Sequence, residues 1–327
     1  MIISRTPYRI SFFGGGTDYP KWYLKYGGQV LSTSIDKYIY ITCRYLPPFH
    51  EHKLRLVYSK IEKVKNSNEL IHPSAKEVIN FLKIKDGLEI HYDGDLPARS
   101  GIGSSSAFTV GLLSALYAYK GKMISKKQLA LESIKIEQDI IKETVGSQDQ
   151  VGTAFGGLNH IKFSRTGDIS VNPIIISNDR LKKLENNIML FYTGTVRTAE
   201  KIAKSVVNNF AIKKNYLERI HNMVDESINI LKKGDLNDFG RLLNESWYLK
   251  KKLSNRVTNK NIDEIYKIAK KAGALGGKVT GAGGGGFIMF YIQNKNQPLL
   301  KKKLSKLLHV PFKFEKNGNQ IIYYNKL

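Results

Sequence analysis

The chain has 327 residues, 42% of them hydrophobic and 10% aromatic, with a single cysteine, Cys43. This excludes a disordered or fibrous chain, an intrachain disulfide and a cysteine-built zinc site, and with no signal-like leader in Met1-Ile2-Ile3-Ser4-Arg5 it points to the cytoplasm. The formal net charge is +24, but the excess lysine is spread out, runs such as Lys250-Lys251-Lys252 read as solvated helix faces, no nucleic-acid-binding motif occurs, and the longest mostly apolar run, 107–119, is too short to cross a bilayer, so neither nucleic acid nor membrane is the expected partner.

Strand-like alternation dominates the first ninety-odd residues, at 2–13, 30–45, 54–58 and 88–92, with a helix at 74–82. Inside the first segment lies a dense cluster, Pro7-Tyr8-Arg9-Ile10-Ser11-Phe12-Phe13-Gly14-Gly15-Gly16-Thr17-Asp18-Tyr19. It sets a fixed cation, Arg9, on a strand. Gly15 and Gly16 let a ligand approach the backbone, and Thr17 and Asp18 can exchange hydrogen bonds with sugar hydroxyls. The plainer alternative is a turn in which Asp18 caps a helix at 20–26.

The most informative stretch follows the strand at 88–92. It reads Leu96-Pro97-Ala98-Arg99-Ser100-Gly101-Ile102-Gly103-Ser104-Ser105-Ser106-Ala107 and opens a helix over 104–119. Gly101 and Gly103 permit a tight turn with exposed N–H groups. Ser104, Ser105 and Ser106 occupy a helix N-terminus, where free donors and the macrodipole favour an anion. No Walker pattern is present, since Gly-x-x-x-x-Gly-Lys-Ser/Thr does not occur.

A second helix is expected at 126–141, with Ser125 and Gln128 as a capping box. It carries Glu137, and Asp149 follows in Gly146-Ser147-Gln148-Asp149-Gln150. In phosphoryl transfer a magnesium ion needs oxygen ligands and the attacking hydroxyl needs a carboxylate. Ser105 with Glu137 can serve the metal and Asp149 the proton, with Asp139 as a competitor for either role.

Strands are expected at 158–163, 169–176 and 188–192, then helices at 198–210, 216–232, 236–253 and 262–272. A third glycine cluster, Gly281-Ala282-Gly283-Gly284-Gly285-Gly286, precedes a strand at 286–293. A dinucleotide-binding reading fails, because those glycines should open a helix. Close approach to a ligand or to the Gly/Ser loop explains them better. A helix at 299–308 and strands at 312–315 and 321–324 close the chain. The mixed order predicts an α+β fold, divided into residues 1–175 and 176–327.

Three of these clusters, in this order and spread over nearly the whole chain, resemble the motifs of the GHMP kinases, the superfamily of galactokinase, homoserine kinase, mevalonate kinase and phosphomevalonate kinase. The resemblance implies an N-terminal domain like ribosomal protein S5 domain 2, a ferredoxin-like C-terminal domain, and transfer from ATP with Mg2+ to a small molecule. It places Pro97, Arg99, Ser100, Gly101, Ile102, Gly103, Ser104, Ser105 and Ser106 on ATP, and Ser105 and Glu137 on magnesium. Asp149 becomes the catalytic base and Arg9 the aligning cation, while Gly283 and Gly284 border the acceptor.

Galactokinases carry Gly-Glu-His-Thr-Asp where this chain has Gly14-Gly15-Gly16-Thr17-Asp18, which weakens galactose as acceptor. The motifs look most like those of the branch acting on D-glycero-D-manno-heptose 7-phosphate, whose product is the 1,7-bisphosphate. A fucokinase-like sugar 1-kinase is the alternative, and a catalytically silent nucleotide- or nucleic-acid-binding relative a remote one. A sugar phosphate requires a second anion site, for which Arg99, Arg197 and Lys201 are the candidates.

Overall fold

The computed structural model describes residues 1–194 and 199–325. Two long antiparallel strands, β1 (Ile2–Phe13) and β2 (Gly28–Tyr45), are joined by the short helix Pro20–Tyr26. β3 (Leu54–Val57), β4 (Ile61–Val64), β5 (Leu88–Gly94), β6 (Leu158–Phe163) and β7 (Ile169–Pro173) extend this first sheet, and among the described residues only the β3–β5 pairing in it is parallel. A second, antiparallel sheet runs β11-β8-β10-β9, formed by β8 (Ile188–Tyr192), β9 (Gly276–Val279), β10 (Phe287–Tyr291) and β11 (Leu308–Val310). β12 (Phe314–Glu315) and β13 (Gln320–Tyr324) return to the first sheet beside β2 and β1. The first sheet therefore draws strands from both ends of the chain, in an α+β arrangement.

β1 is buried along its whole second half because both of its faces are covered. On one face lies the helix Ser104–Tyr119, nearly all of whose residues up to Leu116 are buried. Its backbone comes so near the sheet that a Cβ on Gly111 would lie 2.8 Å from Thr6 Oγ1, and Ser4 Oγ donates to Gly111 O at 2.8 Å. Leu112, Leu113 and Leu116 each contribute about 1.5–3 kcal/mol by this burial. On the other face Phe239, from the helix Leu236–Leu253, meets Phe12 and Phe13 edge-on at 5.4 and 5.1 Å. A second core gathers Trp22, Trp247, Tyr266 and Phe290 around the second sheet. Cys43 lies in the first core, where burial pushes its thiol up to about 12 and leaves it inert.

Three local expectations change. The helix expected at 126–141 is α-helical only to Lys135 and continues as a π-turn, Ile136–Ile140. Ser125 Oγ does accept from Gln128 N at 3.1 Å, but the Gln128 amide donates to Glu132 instead of closing the capping box. The residues around Asp149, for which no element was expected, form a helix, Gln148–Phe155. The final helix stops at Lys303, which frees Leu308–Val310 to pair with β8.

Candidate active site

The helix Ser104–Tyr119 begins at Gly103, whose φ of +77° turns the chain in from the loop. No side chain caps this end, so the first-turn N–H groups of Ser104 to Ser106 face the adjoining cleft. The loop is held from behind. Arg99 N donates to Ser104 Oγ at 3.0 Å, and Ser100 Oγ donates to Pro97 O at 2.5 Å. The third glycine cluster is the buttress. Phe287 N donates to Ser100 O at 3.1 Å, and a Cβ on Gly281 would sit 2.6 Å from Gly101 Cα. Close backbone approach to the Gly/Ser loop is thus the reason for Gly281 and Gly286.

Arg9 projects from β1 beneath this loop and is 2% exposed. Its Nε and Nη2 donate to Asp149 Oδ1 and Oδ2 at 2.7 and 2.5 Å, and its Nη1 donates to Gly101 O at 3.1 Å. One guanidinium therefore ties the loop, the strand and the helix Gln148–Phe155 together. Asp149 keeps 25% of its side chain exposed, so its outer lone pairs still reach the cleft.

The π-turn decides between the acidic candidates. It buries Glu137 completely and leaves Asp139 exposed. Glu137 Oε2 accepts from Ser106 Oγ at 2.9 Å and from the Gln150 amide, while Oε1 has no partner. Burial pushes the Glu137 carboxyl up to about 7. A buried carboxylate oxygen without a donor, next to a hydroxyl at a phosphate-type loop, fits a hard divalent cation. The hydroxyl in contact with Glu137 is that of Ser106; Ser105 is exposed at the cleft. Among the described residues no group of three or more His, Cys, Asp or Glu could hold a metal, so a cation here leans on one carboxylate, hydroxyls and ligand phosphates.

The cleft has a volume of about 350 Å³. Gly15, Gly16 and Asp18 line it opposite the serines, together with Arg9, Arg99, Gly101, Gly103, Ser104, Ser105, Ser106 and Asp149. Asp18 does not cap the helix Pro20–Tyr26, whose N-cap is Tyr19; it reaches the first residue of the helix Gln148–Phe155 instead. Its carboxylate accepts from Gly16 N at 2.9 Å and Gln148 N at 3.4 Å, and burial, then the charge of Asp149, raises its affinity for a proton.

Several sequence candidates lie elsewhere. The Thr17 hydroxyl is used inside the turn, between Gly14 O, Gln29 O and Gln29 N. Gly283 and Gly284 pack against Val257, whose carbonyl accepts from Gly284 N at 2.7 Å. Ile102 belongs to the core. None of these four lines the cleft, nor do Pro97, Ser100 or Glu137, which support it from behind. Arg197 lies outside the described residues.

Sequence reasoning missed several cleft residues, Ser11, Gln148, Lys278 and Lys250 among them. Ser11 and Gln148 are buried there, and Ser11 Oγ and Gln148 Oε1 have no partner. Lys278, from β9, donates to Phe12 O at 2.9 Å. Lys250, read as part of a solvated run, turns inward and donates to Val279 O and Gly281 O at 2.9 and 2.6 Å. Its helical spacing with Ser246 and Leu253, which share its face toward the cleft, was the available signal.

Comparison with known proteins identifies the family. Residues 69–157 match the model of the GHMP kinases N terminal domain, and residues 228–308 that of the GHMP kinases C terminal. The chain is 30% identical over 317 residues to the D-glycero-alpha-D-manno-heptose 7-phosphate kinase of Campylobacter jejuni, covering 93% of each chain. It is 24% identical to the L-fucokinase/L-fucose-1-P guanylyltransferase of Bacteroides fragilis over 93% of this chain and 36% of that one. The crystal structure of a D-glycero-D-manno-heptose 1-phosphate kinase from Bacteroides thetaiotaomicron superposes over the full length of both chains with a TM-score of 0.82 at 24% identity, which shows a common fold. The chain belongs to the GHMP kinases and is an ATP-dependent sugar kinase of that family.

Proposed function

We propose that the enzyme transfers the γ-phosphoryl group of ATP to the anomeric hydroxyl of D-glycero-D-manno-heptose 7-phosphate, giving the 1,7-bisphosphate for nucleotide-heptose synthesis in the cytoplasm. The observation that carries this reading is the Arg9–Asp149 pair, set between an uncapped helix N-terminus and the Gly15–Asp18 turn in one cleft. The acceptor rests on the similarity to the Campylobacter jejuni enzyme.

In this reading residues 1–175 carry the nucleotide and catalytic groups, and residues 176–327 supply the glycine buttress and the far wall. The N–H groups of Ser104 to Ser106 hold the nucleotide phosphates, where the helix N-terminus offsets their charge. Gly15, Gly16 and Asp18 receive the sugar, and the unpartnered Ser11 Oγ and Gln148 Oε1 suit its hydroxyls. Asp149 takes the proton of the attacking hydroxyl. The new bond joins that oxygen to the γ-phosphorus, the bond to the bridging β–γ oxygen breaks, and ADP keeps the electron pair. Arg9 holds Asp149 in place and faces the charge that develops on the transferring oxygens. Glu137 and the first-turn hydroxyls of Ser105 and Ser106 are the residues that would hold Mg2+, which neutralises phosphate charge when bound.

Two measurements test this. In a panel of heptose 7-phosphate, fucose, galactose and mevalonate with ATP and Mg2+, the heptose phosphate should turn over fastest, with 31P NMR placing the new phosphate on the anomeric carbon. Turnover of fucose alone would favour the fucokinase-like alternative. Glu137→Gln should raise the Mg2+ concentration for half-maximal rate by about 10–100-fold; an unchanged Mg2+ dependence would remove Glu137 from the metal.

A further inference from the structure

Lys250 and Lys278 both line the cleft. Neither makes an ion pair with a carboxylate among the described residues. Lys278 is 4% exposed. Each ammonium has three donors. Backbone carbonyls take two on Lys250 and one on Lys278, so further donors remain on both for a ligand in the cleft that both residues line.

Nearby acids balance them only in part: the charge of Asp18 raises the proton affinity of both lysines, and Glu143 and Glu200 also line the cleft. Asp149 is committed to Arg9. Asp18 is held by two backbone N–H groups and is itself driven toward its neutral form. Burial and the charge of Arg9 pull Lys278 down to about 7, and burial, then Lys278 and Arg9, lower Lys250 well below the usual lysine range. Gathering cations in this way is costly unless an anion joins them.

Their position says which anion. Lys250 shares a helix face with Ser246 and Leu253, and the Leu253 side chain lies 3.9 Å from a Cβ built on Gly16. Lys278 reaches to β1 at Phe12, next to Ser11. A Cβ on Gly15 would lie 3.8 Å from Ser11 Oγ and 3.7 Å from Gln148 Nε2, which leaves room between two polar side chains. Lys278 thus stands beside the Gly15–Asp18 turn, and Lys250 between that turn and the Gly/Ser loop, since its partner Gly281 packs on Gly101. In the reading above the nucleotide phosphates take their donors from Ser104 to Ser106, at the uncapped helix end.

We propose that Lys250 and Lys278 bind the phosphate that the acceptor sugar already carries, so that the enzyme selects phosphorylated acceptors over free sugars. This deepens the reading above and rests on its sugar-phosphate acceptor. The site takes a phosphate monoester dianion, held by the buried ammonium of Lys278 and the half-buried one of Lys250, while the sugar ring extends toward Ser11, Gln148 and Asp149.

The test uses the full-length enzyme with K250M, K278M, K250Q and K278Q. The Gln variants keep a donor for the carbonyls of Val279, Gly281 and Phe12 while removing the charge, so that folding is preserved. With sugar phosphate as acceptor, each substitution should raise the acceptor KM about 10–100-fold with little change in the ATP KM, and should narrow the preference over the corresponding free sugar. A fall in kcat on phosphorylated and free sugars alike, with acceptor KM unchanged, would overturn the proposal and assign the lysines to the transferring phosphoryl group. Equilibrium dialysis of radiolabelled inorganic phosphate against protein saturated with a nonhydrolysable ATP analogue gives an independent readout. Wild type should bind one additional phosphate and the folded variants none; retained binding in K250Q and K278Q would also overturn it. Phosphate binding lost in the variants, in an enzyme that phosphorylates no sugar phosphate, would keep the site and sink the acceptor reading instead.

Discussion

Asp149→Asn is expected to lower kcat by about 10²–10⁴-fold while the dissociation constant for ATP stays within a factor of about two. The amide cannot take a proton from the acceptor hydroxyl. It also turns one N–H group toward the Arg9 guanidinium, where the carboxylate now accepts two hydrogen bonds at 2.7 and 2.5 Å. Nucleotide affinity should survive because the phosphate donors belong to the first turn of a different helix, Ser104–Tyr119. Rapid-quench turnover and calorimetric titration of ATP measure the two quantities separately. A kcat within about tenfold of wild type would remove Asp149 from proton transfer. Loss of ATP affinity in parallel would mean that Arg9 needs its partner to hold the loop through Gly101.

Gly286→Ala should damage stability and ATP binding together. The backbone at Gly286 has a φ of +82°, and an added Cβ would lie 2.2 Å from Ser100 O and 2.6 Å from Ser100 C. These are backbone atoms of the Gly/Ser loop, so relief requires moving the loop itself. The left-handed conformation costs an alanine about 1–2 kcal/mol and the overlap about 1–3 more. Gly167→Ala is the control. It shares the positive φ, at +90°, but its Cβ meets only Leu24 Cδ2 at 3.9 Å. Thermal unfolding with and without ATP should show a larger loss for Gly286→Ala, with a raised ATP KM; equal losses in the two variants would mean that the loop does not feel the buttress.

Elements governed by local pattern were legible. The helix expected at 104–119 is Ser104–Tyr119 and the strand expected at 2–13 is Ile2–Phe13. A continuous apolar run behind a Gly/Ser boundary, and alternation leading into a triple glycine, are strong short-range signals. The helix Gln148–Phe155 was not legible, because Val151, Gly152 and Thr153 are poor helix formers. Tertiary contact holds it. Arg9 bonds to Asp149, Ser34 Oγ donates to Gly152 O at 3.1 Å, and a Cβ on Gly152 would lie 3.5 Å from Arg9 Cβ. β9 was missed for a related reason: Gly276 and Gly277 weaken a strand signal, yet Gly276 is needed where its Cβ would fall 2.0 Å from Gly240 O.

By itself the sequence determined the class of chemistry. Glycines, serines and carboxylates at these spacings are local signals that resemble the motifs of the family to which the chain belongs. Only the tertiary structure decided which groups meet. It turned Lys250 inward while Lys251 pairs with Asp263 and Lys252 stays exposed. It withdrew Thr17, Gly283 and Gly284 into internal contacts, and it set Ser106 against Glu137. The physical reason is that a charge or hydroxyl carries no mark of its burial along the chain. Whether it faces water or a ligand depends on elements distant in sequence packing against it, as Gly281 and Gly286 do against the loop at 100–101.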